Sequence, residues 1–108
     1  MTLDQLKAKR STATTSALSS DKVAELLKLL PGWELTGGEV AKTYKFKNYY
    51  ETIAFVNAVA WISHAEDHHP DLEVGYNKCR VKYSTHSVGG LSENDFICAA
   101  KVEGLVQV

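Results

Sequence analysis

The chain has 108 residues, enough for one domain with a single continuous core. Its 44% hydrophobic and 23% charged content is that of an ordinary folded protein, and a net charge of −1 gives no basic excess to drive binding to nucleic acid or anionic membranes. No apolar run approaches the roughly 20 residues of a membrane span, no secretory core follows Met1, and Cys79 and Cys98 lack the spacing of a disulfide scaffold or a C-x-x-C site. The expectation is a small, soluble, cytoplasmic domain without nucleic-acid or membrane partners.

Residues 1–19 differ from the rest and read as an N-terminal extension. Lys7, Lys9 and Arg10 precede the run Ser11-Thr12-Ala13-Thr14-Thr15-Ser16. A basic, hydroxyl-rich, acid-poor start resembles a transit peptide. The pair Thr2 and Gln5 also forms a capping-box pattern for a short helix through Lys9. The simplest expectation is an extension without catalytic consequence, ahead of a domain over 20–108.

Within that domain Val23, Leu26, Leu27 and Leu30 recur at i, i+3, i+4, i+7, which predicts a helix stopped by Pro31-Gly32. Trp33–Thr36 and Val40–Phe46 flank Gly37-Gly38 and read as a hairpin. A second helix is predicted over Tyr49–Glu66, with Asn48 as its N-cap and a wide stripe of Ile53, Phe55, Val56, Val59, Ala60 and Ile62. Pro70 ends any helix. Leu72, Val74 and Tyr76, then Cys79, Val81 and Tyr83, alternate around a turn at Asn77-Lys78 and predict a second hairpin. Gly89-Gly90 marks a loop, and Ser92-x-x-Asp95 caps a last helix carrying Phe96, Ala99 and Ala100. The fold class is α+β: a four-stranded antiparallel sheet with three helices packed on one face, in the order α-β-β-α-β-β-α.

All four histidines, His64, His68, His69 and His86, fall within twenty-three residues. Imidazole gives and takes protons near neutral pH, and these residues sit at element ends, where sites are commonly built. A metal site of His64, His68 and His86 is a second reading, but His64-Ala65-Glu66-Asp67-His68 is neither H-E-x-x-H nor its inverse. Bland readings stand beside each residue: His64 as a helix-end side chain, Asp95 and Ser92 as caps, Gly89-Gly90 as a turn, Trp33 and Trp61 as core.

The pattern His64-x3-His68-His69-Pro70-x5-Tyr76-x9-His86-x8-Asp95 resembles the signature of the pterin-4a-carbinolamine dehydratases. Thr85-His86, Gly90-Leu91-Ser92, Pro31-Gly32-Trp33 and Phe46-Lys47-Asn48-Tyr49 extend the likeness over about residues 20–107. The resemblance implies a fold of four antiparallel strands and three helices. It implies dehydration of 4a-hydroxytetrahydrobiopterin to quinonoid dihydrobiopterin, without metal or cofactor, in recycling of the pterin used by aromatic amino acid hydroxylases. By motif matching it implies His68 and His86 as the acid/base pair and His69 as a substrate-contacting residue. Asp67, Ser84, Thr85, Ser87 and Asp95 are implied as substrate-binding or orienting positions. It also implies a homodimer or homotetramer and, as in animal members, a dimerisation or coactivator role through a partner helix. Two positions depart from the pattern's common forms: His64 stands where relatives often carry an acid, and Asn94 where animal relatives often carry Arg.

Overall fold

The computed structural model describes residues 1–14 and 16–106; Thr15 and positions 107–108, the last two of the expected domain, lie outside the described residues. The Thr2 hydroxyl accepts from the Gln5 N–H at 3.1 Å while the Gln5 side chain accepts from the Thr2 N–H at 2.9 Å. This reciprocal cap opens a short helix, α1 (Leu3–Lys7), which buries Leu6 completely. Ser19 caps α2 (Ser20–Leu27) by accepting from the Lys22 N–H. The helix predicted through Leu30 stops earlier: Leu29 and Leu30 bond back to Leu26 and Leu27, tightening the end before Pro31, and Leu30 is buried from that turn.

Strands β1 (Glu34–Thr36) and β2 (Glu39–Lys45) flank Gly37 and Gly38, both at positive φ, the geometry that lets a two-residue turn follow strand twist. Helix α3 (Tyr49–Glu66) has the predicted bounds, and the Asn48 Oδ1 accepts from the Glu51 N–H at 3.0 Å. Strand β3 (Asp71–Val74) is shorter than the alternation suggested, because Tyr76 lies in the turn to β4 (Lys78–Tyr83) and is 65% exposed. The Gly75 N–H bonds the Lys78 carbonyl at 2.8 Å, which closes that turn. Helix α4 (Glu93–Val106) completes the chain.

The sheet is antiparallel throughout, in the order β1-β2-β4-β3. Its register pairs Val40 with Tyr83, Tyr44 with Cys79 and Leu72 with Val81, placing one face of period-2 residues beneath the helices. The opposite face carries charges such as Lys82 on Glu73 at 2.8 Å. Helix α4 is the centre of the helical layer: Phe96, Ile97, Cys98, Ala99, Ala100 and Val102 are all buried. It packs on α3 and on α1, so the fourth, short helix adds to the three that were expected.

One buried polar cluster lies beneath α4. Glu103 accepts from Tyr44 Oη at 2.5 Å, Lys42 Nζ at 2.8 Å and Trp33 Nε1 at 3.2 Å. Burial works to raise its carboxyl, but the bonds from Lys42, Tyr44 and Trp33 together outweigh it and hold the group below the usual carboxylate range. Burial, with Glu103 beside it, pushes the Tyr44 phenol well up.

Candidate active site

The end of α3, the end of β4 and the start of α4 converge on one imidazole. Asp67 terminates α3 at φ 50°, ψ 43°, a left-handed cap that Asp tolerates better than most side-chain-bearing residues. The N–H groups of Asp67 and His68 both reach the Ser63 carbonyl. After this turn His68 enters the protein, with its side chain only 14% exposed.

His68 Nε2 lies 2.6 Å from Oδ1 of Asp95, whose side chain is fully buried. The other oxygen, Oδ2, accepts from Thr85 Oγ1 at 2.7 Å and from the Ser92 N–H at 3.0 Å. Thr85 has one hydroxyl proton and donates it to Asp95, so the Ser92 hydroxyl, 2.7 Å away, donates to Thr85. Asp95 therefore caps α4, as its spacing from Ser92 predicts, and orients His68 with the same carboxylate. The Ser92 hydroxyl, predicted to cap the helix, turns to Thr85 instead. A carboxylate at Asp95 accepts only, so a neutral His68 donates through Nε2 and carries its acceptor at Nδ1. Tyr83 stacks on the His68 ring at 5.8 Å between centroids and 13° between planes, and burial pushes its phenol up, keeping it neutral.

Two of the clefts that adjoin this network hold the candidate residues. The first, about 450 Å³, is lined by His68, Asp67, Thr85 and Ser87 together with Glu66, Asn94 and the segment Ser11–Thr14. The second, about 490 Å³, is lined by His86, Ser84 and Thr85 together with Glu39, Asp71, Gly37, Gly38, Gly89 and Gly90. Both lie in the size range of small-molecule sites, about 300–1,000 Å³. Thr85 belongs to both. Its N–H and carbonyl pair with Gly90, closing a small loop in which His86–Val88 form a single 3₁₀ turn that Gly89 ends at φ 66°. His86 is exposed at this loop.

Of the eight residues implied by the resemblance, the structure thus puts His68, Asp67, Thr85 and Ser87 in one cleft and His86 and Ser84 in the next. Asp95 is sealed behind His68 and does not face solvent. His69 is exposed and lines neither cleft. His64, weighed as a metal ligand, is exposed and lies against the Trp61 ring at 5.5 Å. Among the described residues no group of three or more His, Cys, Asp or Glu side chains is placed to hold a metal ion, and no helix is long and apolar enough to cross a membrane. The wall made by Ser11–Thr14 was not foreseen; its hydroxyl-rich composition was visible, but nothing in its pattern gave it a partner.

Fold and site together define a small α+β domain in which a buried carboxylate holds an imidazole at the wall of a cleft. A profile of the family described as pterin 4 alpha carbinolamine dehydratase matches residues 16–105. A relative from Nitrosospira multiformis, bearing the provisional name pterin-4-alpha-carbinolamine dehydratase, is 56% identical over 110 residues, covering 99% of this chain and 97% of its own length. One from Nitrosomonas eutropha with the same provisional name is 62% identical over 90 residues, 82% of this chain and 80% of its own. Among solved structures, a transcriptional coactivator/pterin dehydratase from Brucella melitensis superposes with a TM-score of 0.82 at 28% identity, over 85% of this chain and all of that one. A pterin dehydratase-like protein described as a RuBisCO assembly factor of the alpha-carboxysome superposes with a TM-score of 0.61 at 26% identity, over 68% of this chain and 88% of that one. The chain belongs to the pterin-4a-carbinolamine dehydratase family, a family of carbon–oxygen lyases.

Proposed function

We propose that the protein eliminates water from 4a-hydroxytetrahydrobiopterin to give quinonoid dihydrobiopterin, by histidine general acid/base catalysis, in the recycling of a hydroxylase cofactor. The observation that carries this reading is the His68–Asp95 pair, a 2.6 Å contact to a fully buried carboxylate at the wall of an open cleft. The reaction needs a proton delivered to the leaving 4a hydroxyl and a proton removed from the adjacent ring nitrogen N5. The new C4a–N5 double bond replaces the C4a–O and N5–H bonds, so nothing is oxidised and no redox centre is required. Each proton transfer by a positioned imidazole contributes about 10²–10⁴-fold.

His68 and His86 are the acid/base pair in this reading, in roles that either can fill, and His69 contacts the substrate from the exposed turn. The flat ring bridges the two clefts across Thr85, with its polar edge on the backbone of Ser84, Thr85 and Ser87. Asp95 acts through His68 as a positioning residue, and Asp67 sits beside the imidazole as a charge. The test is stopped-flow absorbance of 4a-hydroxytetrahydropterin decay with intact protein and with a His68→Ala, His86→Ala double variant. The reading expects acceleration by the first and none by the second. A folded intact protein that leaves the decay at its spontaneous rate, or a double variant as fast as the parent, refutes it.

A second reading, assembly with a partner helix or with further copies, draws on α3. That helix carries no Asp, Glu, Lys or Arg between Glu51 and Glu66, yet Tyr50 and Trp61 on it are 81% and 71% exposed. Such a face suits association of this family's domains as dimers or tetramers. It leaves the clefts free, so the two readings coexist.

A further inference from the structure

The segment before α2 is tied to both sides of the His68 cleft, through Arg10, Ser11 and Thr12. On one side, Arg10 Nε pairs with Glu66 Oε2 at 2.9 Å, the Arg10 guanidinium also bonds the Ala65 carbonyl, and the Ser11 N–H bonds Glu66 Oε1 at 2.8 Å. The Glu66 side chain is only 4% exposed. On the other side, Asn94 accepts from the Thr12 N–H at 3.0 Å and donates to the Thr12 carbonyl at 2.6 Å, the two-point clamp a strand neighbour would supply. Glu66 ends α3 and Asn94 opens α4, so the strap is anchored to the two helix ends that frame His68 and Asp95. Thr12 and the two residues that follow it, Ala13 and Thr14, line the cleft with hydroxyl, methyl and backbone groups and no charge.

We infer that Ser11–Thr14 is the specificity wall of the site and receives the C6 side chain of the pterin, selecting uncharged hydroxyalkyl substituents. The inference rests on the dehydratase reading. In the substrate C6 is bonded directly to N5, so a ring whose N5 and C4a stand at His68 sends its side chain into the same cleft, one bond from the chemistry. The surfaces within reach are the acid/base residues, the carboxylates of Glu66 and Asp67, and the strap. A hydroxylated chain finds donors and acceptors on the strap. An anionic chain meets the Asp67 carboxylate, the other acid of the lining, Glu66, being paired with Arg10 at 2.9 Å. The second cleft presents four glycines and the side chains of Glu39, Asp71, Ser84, Thr85 and His86, and it does not include His68, beside which C6 lies in this reading.

The experiment compares kcat/KM for 4a-hydroxytetrahydropterins carrying a dihydroxypropyl or a methyl group at C6. It uses intact protein, Asn94→Leu, Asn94→Asp and Thr14→Val. Asn94→Leu removes both bonds to the Thr12 backbone; Asn94→Asp keeps the acceptor and is intermediate; Thr14→Val removes a hydroxyl and leaves the clamp in place. The expected result is a preference for the dihydroxypropyl substrate that falls about tenfold in Asn94→Leu and a few-fold in Thr14→Val, through KM rather than kcat. Should Asn94→Leu fail to fold, Thr14→Val and Asn94→Asp carry the same comparison. A preference identical to that of intact protein in every folded variant overturns the inference and leaves the dehydratase reading standing. If intact protein accelerates neither substrate, the dehydratase reading falls and the specificity wall with it.

Discussion

Asp95→Asn isolates the part of the site that the structure explains best. The carboxylate has three partners: His68 Nε2 at 2.6 Å, Thr85 Oγ1 at 2.7 Å and the Ser92 N–H at 3.0 Å. Asparagine keeps one oxygen, which Thr85 and the Ser92 N–H retain, and presents an NH₂ to His68. That donor requires Nε2 to accept, so the ring proton moves to Nδ1, the nitrogen meant to exchange protons with substrate. The lost bond is charge-assisted and contributes about 1.5–3 kcal/mol, but the cost to stability is offset because a buried charge is removed as well. Activity has no such offset. Where a buried carboxylate orients a catalytic histidine, the same exchange has cost about 10⁴ in kcat by fixing the wrong tautomer, and one proton transfer contributes about 10²–10⁴. The expected loss is about 10²–10³ in kcat with KM within about threefold. Stopped-flow decay of the 4a-hydroxytetrahydropterin gives the rate, and ¹⁵N shifts of His68 give the tautomer. A variant with kcat within about threefold of the parent, or an unchanged His68 tautomer alongside a large loss of rate, refutes the positioning role.

Three further outcomes follow from the packing. Glu103 has its carboxyl held low in the folded state, so its contribution is full above the unfolded carboxylate range and is lost as pH falls through the folded value. Glu103→Gln should therefore cost about 2 kcal/mol at pH 7 and flatten the acid limb of urea-melt stability below about pH 4; a parallel acid limb in parent and variant contradicts this. Leu6→Ala, at a fully buried position between α1 and the core, should lower unfolding stability by about 2–4 kcal/mol, whereas a loss under about 0.5 kcal/mol would mean the extension is not part of the cooperative unit. Trp61→Glu should lower the sedimentation mass while turnover per chain persists; unchanged mass removes the α3 face as the assembly surface.

The helix and hairpin pattern was legible because its signals are local. Asn48 and the apolar stripe behind it bound α3 to the residue, and Gly37-Gly38 allowed one turn. Tyr76 misled because alternation does not announce where a ladder ends; the Gly75–Lys78 bond decides that. The site was legible as a set of histidines and less so as an arrangement. Spacing does not say that Asp95 is sealed behind His68, that the Ser92 hydroxyl serves Thr85, or that His68 and His86 face different clefts, since each depends on the angle at which α3 and α4 leave the sheet. The strap was least visible of all. Its partners Glu66 and Asn94 are 55 and 82 residues away along the chain, and no periodicity connects them.

Helix α1 lies against α4, so the two ends of the described chain close on each other. Contacts this distant in sequence form late, because the chain entropy of so long a loop must be overcome before they stabilise anything. On a ribosome, the cleft cannot acquire its final wall until the last helix has emerged, since Asn94 holds the strap and Leu6 rests on the core that α4 completes. A chain lacking α4 keeps all four histidines but loses Asp95 and Asn94, the groups that hold His68 and the strap.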